Sequence, residues 1–313
     1  MTYPLPLTRG QPFTFRELAD VYISAQRKNR HLMTSMPFFV EQLGNKVVAD
    51  LDGDDIQDAL DALVRRGRVV NRGGPRSCNV SLERQHRPLA PATINRYRND
   101  LQGILTWAQK RRLMPRGWLN PVKETESLPV DNARIRFLTE DEYRRLLQAS
   151  RTSAWKMLHV LIKMAVTTGA RRGTLLGLRW ADVDLNTKRA YAARTKNDEP
   201  FVMVLQDDVV FELKKLRGGA HDEHLVFGSK DPYRPRPIET PFKHALRQAK
   251  IEGVVFHTLR HTHASWLAQK GVPLLAIAES MNHKTFAMTK RYAHLCLDNR
   301  AKMLEQVFGT GPA

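Results

Sequence analysis

The chain has 313 residues, 42% of them hydrophobic, and carries a formal net charge of +18 with a pI near 10.2. This apolar content excludes a disordered chain, and the length suits two modest cores better than one. No apolar run approaches the length of a membrane span, and the opening MTYPLPLTRG lacks the apolar segment of a signal peptide, so a soluble, cytoplasmic protein with no membrane partner is expected.

So basic a balance favours a polyanionic partner, because Lys and Arg release counterions when they meet phosphates. Residues 1–130 hold 20 Lys and Arg against 13 Asp and Glu, and the remainder carries the larger share of the excess, so both halves are basic. A protein gripping DNA from two sides has this distribution. Cys78 and Cys296 stand far apart and supply neither a disulfide framework nor a four-cysteine metal site.

The first ten residues read as a flexible lead. From Thr14, FRELADVYISAQ sets Phe15, Leu18, Ala19 and Tyr22 at helical spacing. MPFFVEQLG predicts a second helix ending at Gly44. DDIQDALDALVRRG predicts a third, with Asp in its first turn and Arg in its last, matching the helix dipole. Residues 65–90 hold seven Arg and one Glu around Gly73-Gly74-Pro75 and read as a long basic loop, either a solvated connector or a segment lying along a phosphate backbone. Arg65, Arg66, Arg68 and Arg72 are its candidate DNA contacts. ATINRYRNDLQGILTWAQKRRLM predicts a strong helix with Ile94, Leu101, Leu105, Trp107 and Ala108 on its core side; Arg96 and Arg98 on the other side are candidate DNA contacts. The run NPVKETESLPVDNARIR, without period, marks the domain boundary.

In the second half, Thr139 with Glu142 three residues later is a capping box. Helices are predicted to about Gln148 and over WKMLHVLIKMAVTTG. RAYAAR and PFVMVL are strand-like, and their turn-rich surroundings predict a small antiparallel sheet. Helices resume at DDVVFELKKL, at TPFKHALRQAK with Thr240 as cap and Pro241 at the first helical position, at HTLRHTHASWLAQKG closing at Gly271, and at TFAMTKRYAHL.

Five pieces of this half carry chemistry: TTGARRGTLLGLRWADVD at 167–184 with Arg171; Thr195-Lys196-Asn197; His257-Thr258-Leu259-Arg260-His261; Met281-Asn282-His283-Lys284; and Thr289-Lys290-Arg291-Tyr292-Ala293-His294. Taken singly, each has an ordinary explanation: a solvated arginine, a turn lysine, a packed histidine, a core tyrosine. Together they match what attack on a phosphodiester requires. That reaction needs a nucleophile, cations around the non-bridging oxygens, and an acid for the leaving oxygen. Arginines recognise phosphate with a planar fork, and a cluster of positive charge would favour the tyrosine phenolate.

In these motifs the chain resembles the tyrosine recombinases, or phage integrases. TGxRRxxLLxLRWxDVD, HxLRHTHASWLAxxGV, NHK and TxRYAHL occur in family order. His257 and Arg260 are three apart, Arg260 and His283 are 23 apart, and His283 and Tyr292 are nine apart, as in that family. TINRYRNDLQGILTWAQKRRLMPRGWLNPV looks, more loosely, like the family's core-binding domain. The resemblance implies a mainly α fold: a helical core-DNA-binding domain at 11–126, a linker at 127–136, and an α+β catalytic domain at 137–313 with a small antiparallel sheet, the two domains forming a C-shaped clamp on DNA. It implies that Arg171 and Arg260 clamp the scissile phosphate, Lys196 protonates the departing 5′ oxygen, His257 and His283 assist, and Tyr292 attacks to give a 3′-phosphotyrosyl link, with no cofactor, metal or ATP. Its implied partners are double-stranded DNA with specific recombination sites, three further copies in a tetramer on DNA, and accessory DNA-bending or directionality proteins. The tail LDNRAKMLEQVFG (Met303, Leu304, Val307, Phe308) is amphipathic and expected to dock on a neighbouring copy.

The chain departs from the family pattern in three places. Thr174 stands where many members carry an acid, which puts the support around Arg171 in doubt. Met281-Asn282 replaces the commoner Leu-Gly, with a consequence for the local turn. The ten-residue lead is too short for a separate arm-binding domain. Three rival readings stay open: a DNA binder without catalysis, a type IB topoisomerase, and a metal hydrolase using His257, His261 and His263, against which Thr258 stands where a metalloprotease needs Glu.

Overall fold

A computed structural model describes residues 7–26, 32–71, 82–85, 87–130, 136–193, 200–296 and 308–309. The chain divides into two compact units, Met1–Asn132 and Ala133–Ala313. Among the described residues, no helix is long and apolar enough to cross a membrane.

The first unit is helical. α1 (Phe15–Ala25) opens with a capping box in which Thr14 and Glu17 satisfy each other's backbone amides. α2 (Leu32–Leu43) starts one turn earlier than the sequence predicts and carries Pro37 inside. α3 (Gly53–Arg66) is capped by Asp52, which accepts from the Asp55 amide at 2.9 Å. β1 (Arg68–Asn71) and β2 (Leu82–Gln85) follow, then α4 (Pro91–Lys110) with proline at its first position. Phe15, Met36, Phe39, Ile56, Leu63, Leu101 and Ile104 form the core between these helices.

One expectation changes here. The basic stretch 65–90 is not all loop: after α3 ends at Arg66, as its predicted last turn requires, β1 and β2 pair antiparallel with Val69 opposite Arg84 and Val70 opposite Glu83. The β-branched pair Val69-Val70 favours extended backbone, and cross-strand pairing satisfies polar groups that a lone segment would leave to water. The run from Asn120 begins within the first unit, ahead of the linker expected at 127–136. A 3-10 turn at Pro121–Glu124 buries Val122 completely, and Asn120 and Thr125 are buried with it.

What holds that turn is Arg98. Instead of facing a ligand, Arg98 is buried, and its guanidinium donates to the Thr125 hydroxyl at 2.9 Å, the Val122 carbonyl at 2.8 Å and the Thr125 carbonyl at 2.5 Å. It therefore ties the turn to α4 by polar bonds, beside the apolar anchor that buried Val122 supplies.

The second unit is mixed. α5 (Glu140–Arg151) begins with the expected Thr139/Glu142 capping box, and α6 (Met157–Thr168) is almost wholly buried, packed by α5 and by later helices. α7 (Arg172–Leu176) leads to a three-stranded antiparallel sheet, β3 (Val183–Asp184), β4 (Arg189–Ala192) and β5 (Phe201–Val204), in the order β3-β4-β5. Phe201 and Met203 point inward, and Val202 and Val204 outward, as a period of two requires. α8 (Asp207–Arg217), α9 (Glu239–Gln248), α10 (Phe256–Gln269), α11 (Leu274–Ser280) and α12 (Ala287–Lys290) complete the unit. α9 starts earlier than predicted: buried Ile238 is its cap and accepts from the Phe242 amide, so Thr240 and Pro241 lie inside the first turn. The helix predicted over TFAMTKRYAHL is instead short α12 and a 3-10 turn at Ala293–Cys296, joined by bonds of 3-10 type such as Tyr292 amide to Thr289 carbonyl.

Arg98→Ala should lower the stability of the first unit by roughly 2–4 kcal/mol, since two buried carbonyls lose a charged donor. A denaturant titration reads it as a fall in midpoint with little change of slope; an unchanged midpoint contradicts the assigned role.

Candidate active site

The site assembles on α10 and on the ends of two other helices. α6 ends at Gly169, left-handed at φ 63°. A Cβ there would lie 2.5 Å from Cδ2 of the His263 ring, so both conformation and space require glycine. α11 ends with Asn282 at φ 49°, its amide donating to the Glu279 carbonyl and the His283 amide to the Ala278 carbonyl. That is the left-handed helix stop usually given to glycine, which asparagine tolerates. The unusual Met281-Asn282 therefore preserves the turn, and Met281 is buried beneath it.

Arg260 joins the two helix ends. It is 4% exposed, and its guanidinium donates to the Gly169 carbonyl at 2.5 Å and to the Met281 carbonyl at 2.7 Å. Arg171, at the start of α7, reaches the next carbonyl, Asn282, at 3.4 Å. The two arginines thus converge on one turn. Burial, and then the neighbouring Arg171 charge, push the Arg260 pKa down to about 10. Among the described residues no carboxylate pairs with either arginine; Arg172 takes Glu239 at 2.6 Å instead. The acid missing at Thr174 is not replaced by another among them.

His283 follows the Asn282 turn, and its Nδ1 lies 2.7 Å from the hydroxyl of buried Thr289. Burial, with Arg260, Arg171, Arg291 and His261 near, pushes its pKa down to about 4. His257, one turn before His261 on α10, meets that ring edge-on at 4.9 Å between centroids. Partial desolvation and the charges of Arg260, Arg171 and Arg291 hold it below the ordinary histidine value.

Tyr292 is 1% exposed, packed with Ala264, Ala268, Ile277 and Met281, and its hydroxyl lies 2.7 Å from His261 Nδ1. The expectation of a phenolate-favouring site needs correction in this state. Burial raises the phenol pKa, outweighing Arg291 and Arg260, which lower it.

Of the six residues predicted from the sequence, five therefore lie together: Arg171, His257, Arg260, His283 and Tyr292. Lys196 lies outside the described residues, as does the tail except Phe308 and Gly309. Of the candidate DNA contacts, Arg65, Arg68 and Arg96 are exposed. Arg66 is half-buried, its guanidinium 4.4 Å from the Phe38 ring centroid and bonded to the Tyr97 hydroxyl at 3.3 Å. Arg98 is internal, and Arg72 is outside the described residues. Sequence reasoning missed Thr289 and the contact of His261 with Tyr292. Helical spacing from His257 and Arg260 gave a signal for His261. The three histidines offered to a metal do not converge: His261 faces Tyr292, while His263 faces the Val166 carbonyl at 2.8 Å and the Ser280 hydroxyl at 3.1 Å.

The model of the phage integrase family matches residues 136–297. The integrase of Salmonella phage P22 is 32% identical over 195 residues, 57% of this chain and 49% of that protein. The shufflon-specific DNA recombinase of Escherichia coli is 32% identical over 181 residues, 56% of this chain and 44% of that protein. The chain thus spans about half the length of the curated relatives it matches. The structure of the Tn1549 transposon integrase in complex with transposon right end DNA superposes with a TM-score of 0.68 at 16% identity, covering 94% of this chain and 99% of that one, a likeness of fold.

The depressed histidines make stability depend on pH. Between about pH 4 and the ordinary value of 6.5, the unfolded chain binds protons that native His261 and His283 refuse. Stability therefore falls as pH drops through that window. The melting temperature should be lower at pH 4.5 than at pH 7.5, and a His261→Gln, His283→Asn double variant should narrow the gap. A gap of unchanged size in that variant would show that other groups carry it.

Proposed function

Because the chain belongs to the phage integrase family, we propose that it is a site-specific DNA recombinase that cuts and rejoins strands through a 3′-phosphotyrosyl bond to Tyr292. The observation that carries this reading is the convergence of Arg260 and Arg171 on adjacent carbonyls of one turn, beside His283 and the Tyr292 cluster. Two guanidiniums without a carboxylate partner among the described residues form a receptor for an anion, and a phosphodiester brings the charge they lack.

In the cleavage step the arginines hold the non-bridging oxygens, where negative charge grows as phosphorus becomes five-coordinate. The Tyr292 oxygen bonds to phosphorus, and the bond to the 5′ oxygen breaks. Lys196 supplies the proton that this oxygen takes up, and His257 and His283 hydrogen-bond the phosphate. Attack by the partner strand's 5′ hydroxyl reverses the step. The energy of the broken bond stays in the tyrosyl ester, so the cycle needs no ATP, and the arginines supply the charge that a metal would otherwise bring.

Exchange between two duplexes cuts four strands, so the working assembly is a tetramer on double-stranded DNA, open to DNA-bending or directionality proteins. The first unit contributes sequence-independent affinity through exposed Arg65, Arg68 and Arg96.

The deciding test is covalent trapping on nicked duplexes tiled across the DNA flanking the chain's own coding sequence, with excess chelator present. The expected result is a detergent-resistant adduct with the native chain and none with Tyr292→Phe. An adduct with both proteins assigns another nucleophile. No adduct, together with a footprint on the same duplexes, leaves a DNA binder without catalysis. Relaxation of plasmid lacking any trapped site indicates a topoisomerase.

Separately, replacing Arg65, Arg68 and Arg96 with Ala should weaken binding to arbitrary duplex and flatten the plot of log affinity against log salt by about one for each phosphate no longer neutralised. Arg66 is left in place because Phe38 and Tyr97 depend on it. An unchanged slope removes these residues from the DNA-facing surface.

A further inference from the structure

We propose that His261, which lies outside the six predicted residues, is a catalytic partner of Tyr292: it accepts the phenol proton as the tyrosine oxygen attacks. This rests on the cleavage reaction proposed above.

Geometry gives the first argument. The Tyr292 oxygen lies 2.7 Å from His261 Nδ1, the distance for a short O–H···N bond. Among the described residues no other group bonds that oxygen, and the side chain is 1% exposed, so water does not compete. The other histidines of the site are placed elsewhere: His283 Nδ1 is taken by Thr289, and His257 packs edge-on against the His261 ring. A phenol gives its proton more readily than its conjugated oxygen receives one, so the hydroxyl donates and neutral His261 carries its own proton on Nε2.

The second argument is one of construction. His261 follows Arg260 directly and lies one turn after His257 on α10. One rigid helix therefore sets the distance between the arginine that would hold phosphate and the ring that holds the nucleophile, which is how a reactive geometry is kept within tolerance.

Electrostatics supplies the third. The groups facing His261 are Arg260 and His257 from α10, Arg291 and Tyr292 from the segment after α12, and His283 from the α11 turn. Burial first, then His257, Arg291 and Arg260, push its pKa down to about 4. In the free protein the ring is thus neutral, able to accept a proton but a weak base. A phosphodiester seated on Arg260 and Arg171 cancels part of the opposing charge, raises the basicity of the ring, and does so only when substrate is in place.

The step balances. The Tyr292 O–H bond breaks and its proton moves to His261 Nδ1; the new bond joins the Tyr292 oxygen to phosphorus. The bond from phosphorus to the 5′ oxygen breaks, and that oxygen takes a separate proton from the donor assigned above to Lys196. In rejoining, the 5′ hydroxyl gives its proton back to that donor, and His261 returns its own to the departing phenolate.

The test is single-turnover cleavage of the tiled nicked duplexes, with native chain, Tyr292→Phe, His261→Ala and His261→Asn, after melting curves and duplex binding establish that each variant folds and binds. A proton acceptor of this kind contributes roughly 100-fold or more. His261→Ala should cleave about 100-fold more slowly at pH 7 with duplex affinity unchanged. Its rate should climb with pH where the native rate has levelled, and added imidazole should restore part of the loss. His261→Asn, which can bond but not titrate, should stay slow. If His261 only holds Tyr292 in a resting position, the Ala variant cleaves as fast as the native chain or faster, with the same pH profile, and the inference falls while the cleavage reaction stands. Absence of adduct from the native chain overturns the cleavage reaction itself, and this assignment with it. A reading free of activity comes from 15N spectra of the histidine rings. Tyr292→Phe should move the His261 Nδ1 resonance, and a resonance that does not move removes the hydrogen bond on which the assignment stands.

Discussion

The second unit depends on a positive charge kept inside protein. Arg260 is nearly out of contact with water, and among the described residues its guanidinium is met by carbonyls, not by a carboxylate. Those carbonyls are not arbitrary. Gly169 and Met281 end α6 and α11, so each lies at the negative end of a helix and would otherwise lack a donor. One side chain thus satisfies two helix ends and fixes the angle between them. Dipoles compensate a buried charge only in part, and the neighbours feel the remainder: His257, His261, His263 and His283 are all pushed toward their neutral forms, by burial first and by the Arg260 charge in addition.

This leftover charge is what gives the site a direction. A cluster already paired with carboxylates would have little to gain from an anion. A cluster held by backbone dipoles alone gains strongly, because attraction between unit charges at contact in a partly dry site is about 4 kcal/mol, several times its value in water. The cost is carried in the free protein as depressed basicity and a lower stability in acid. Tyr292 shows the competition from the other side: two nearby arginines favour its phenolate, yet burial wins and the phenol pKa rises. Charge proximity acts on a group only to the extent that burial leaves room for it, and a bound phosphate would change both sides of that balance.

Arginine plays a different part in the first unit. Arg98 commits its guanidinium to the Val122–Thr125 turn, and Arg66 lies against Phe38 and Tyr97. Both belong to basic stretches whose charge suggested a nucleic-acid surface. The planar, weakly hydrated guanidinium can close a turn or cover an aromatic face as well as bind phosphate. A count of basic residues therefore sets a limit on possible phosphate contacts and does not map them. Arg65, Arg68 and Arg96, exposed and with no such internal partner among the described residues, are the ones open to a polyanion.

Local signals in the sequence determined much of this protein. Thr139 and Glu142 start a helix because each satisfies the other's amide, and RAYAAR and PFVMVL alternate as a half-buried sheet must. The fixed spacing of His257, Arg260, His283 and Tyr292, together with Arg171, marked in the sequence the residues that the fold brings together, because such a set of side chains is matched as a group and not one by one. Other features depended on partners distant in sequence. Nothing in RYRND tells that Arg98 turns inward to hold residues more than twenty positions later, while Arg96 stays in solvent. Helical spacing puts His261 beside Arg260, but only the fold brings it to the Tyr292 hydroxyl, thirty-one residues on. Nor could sequence order the pull of arginines against the cost of burial at that oxygen. Residue type and spacing fix which chemistry is available, whereas depth and neighbours, which exist only once the chain has folded, decide the protonation state in which it is held.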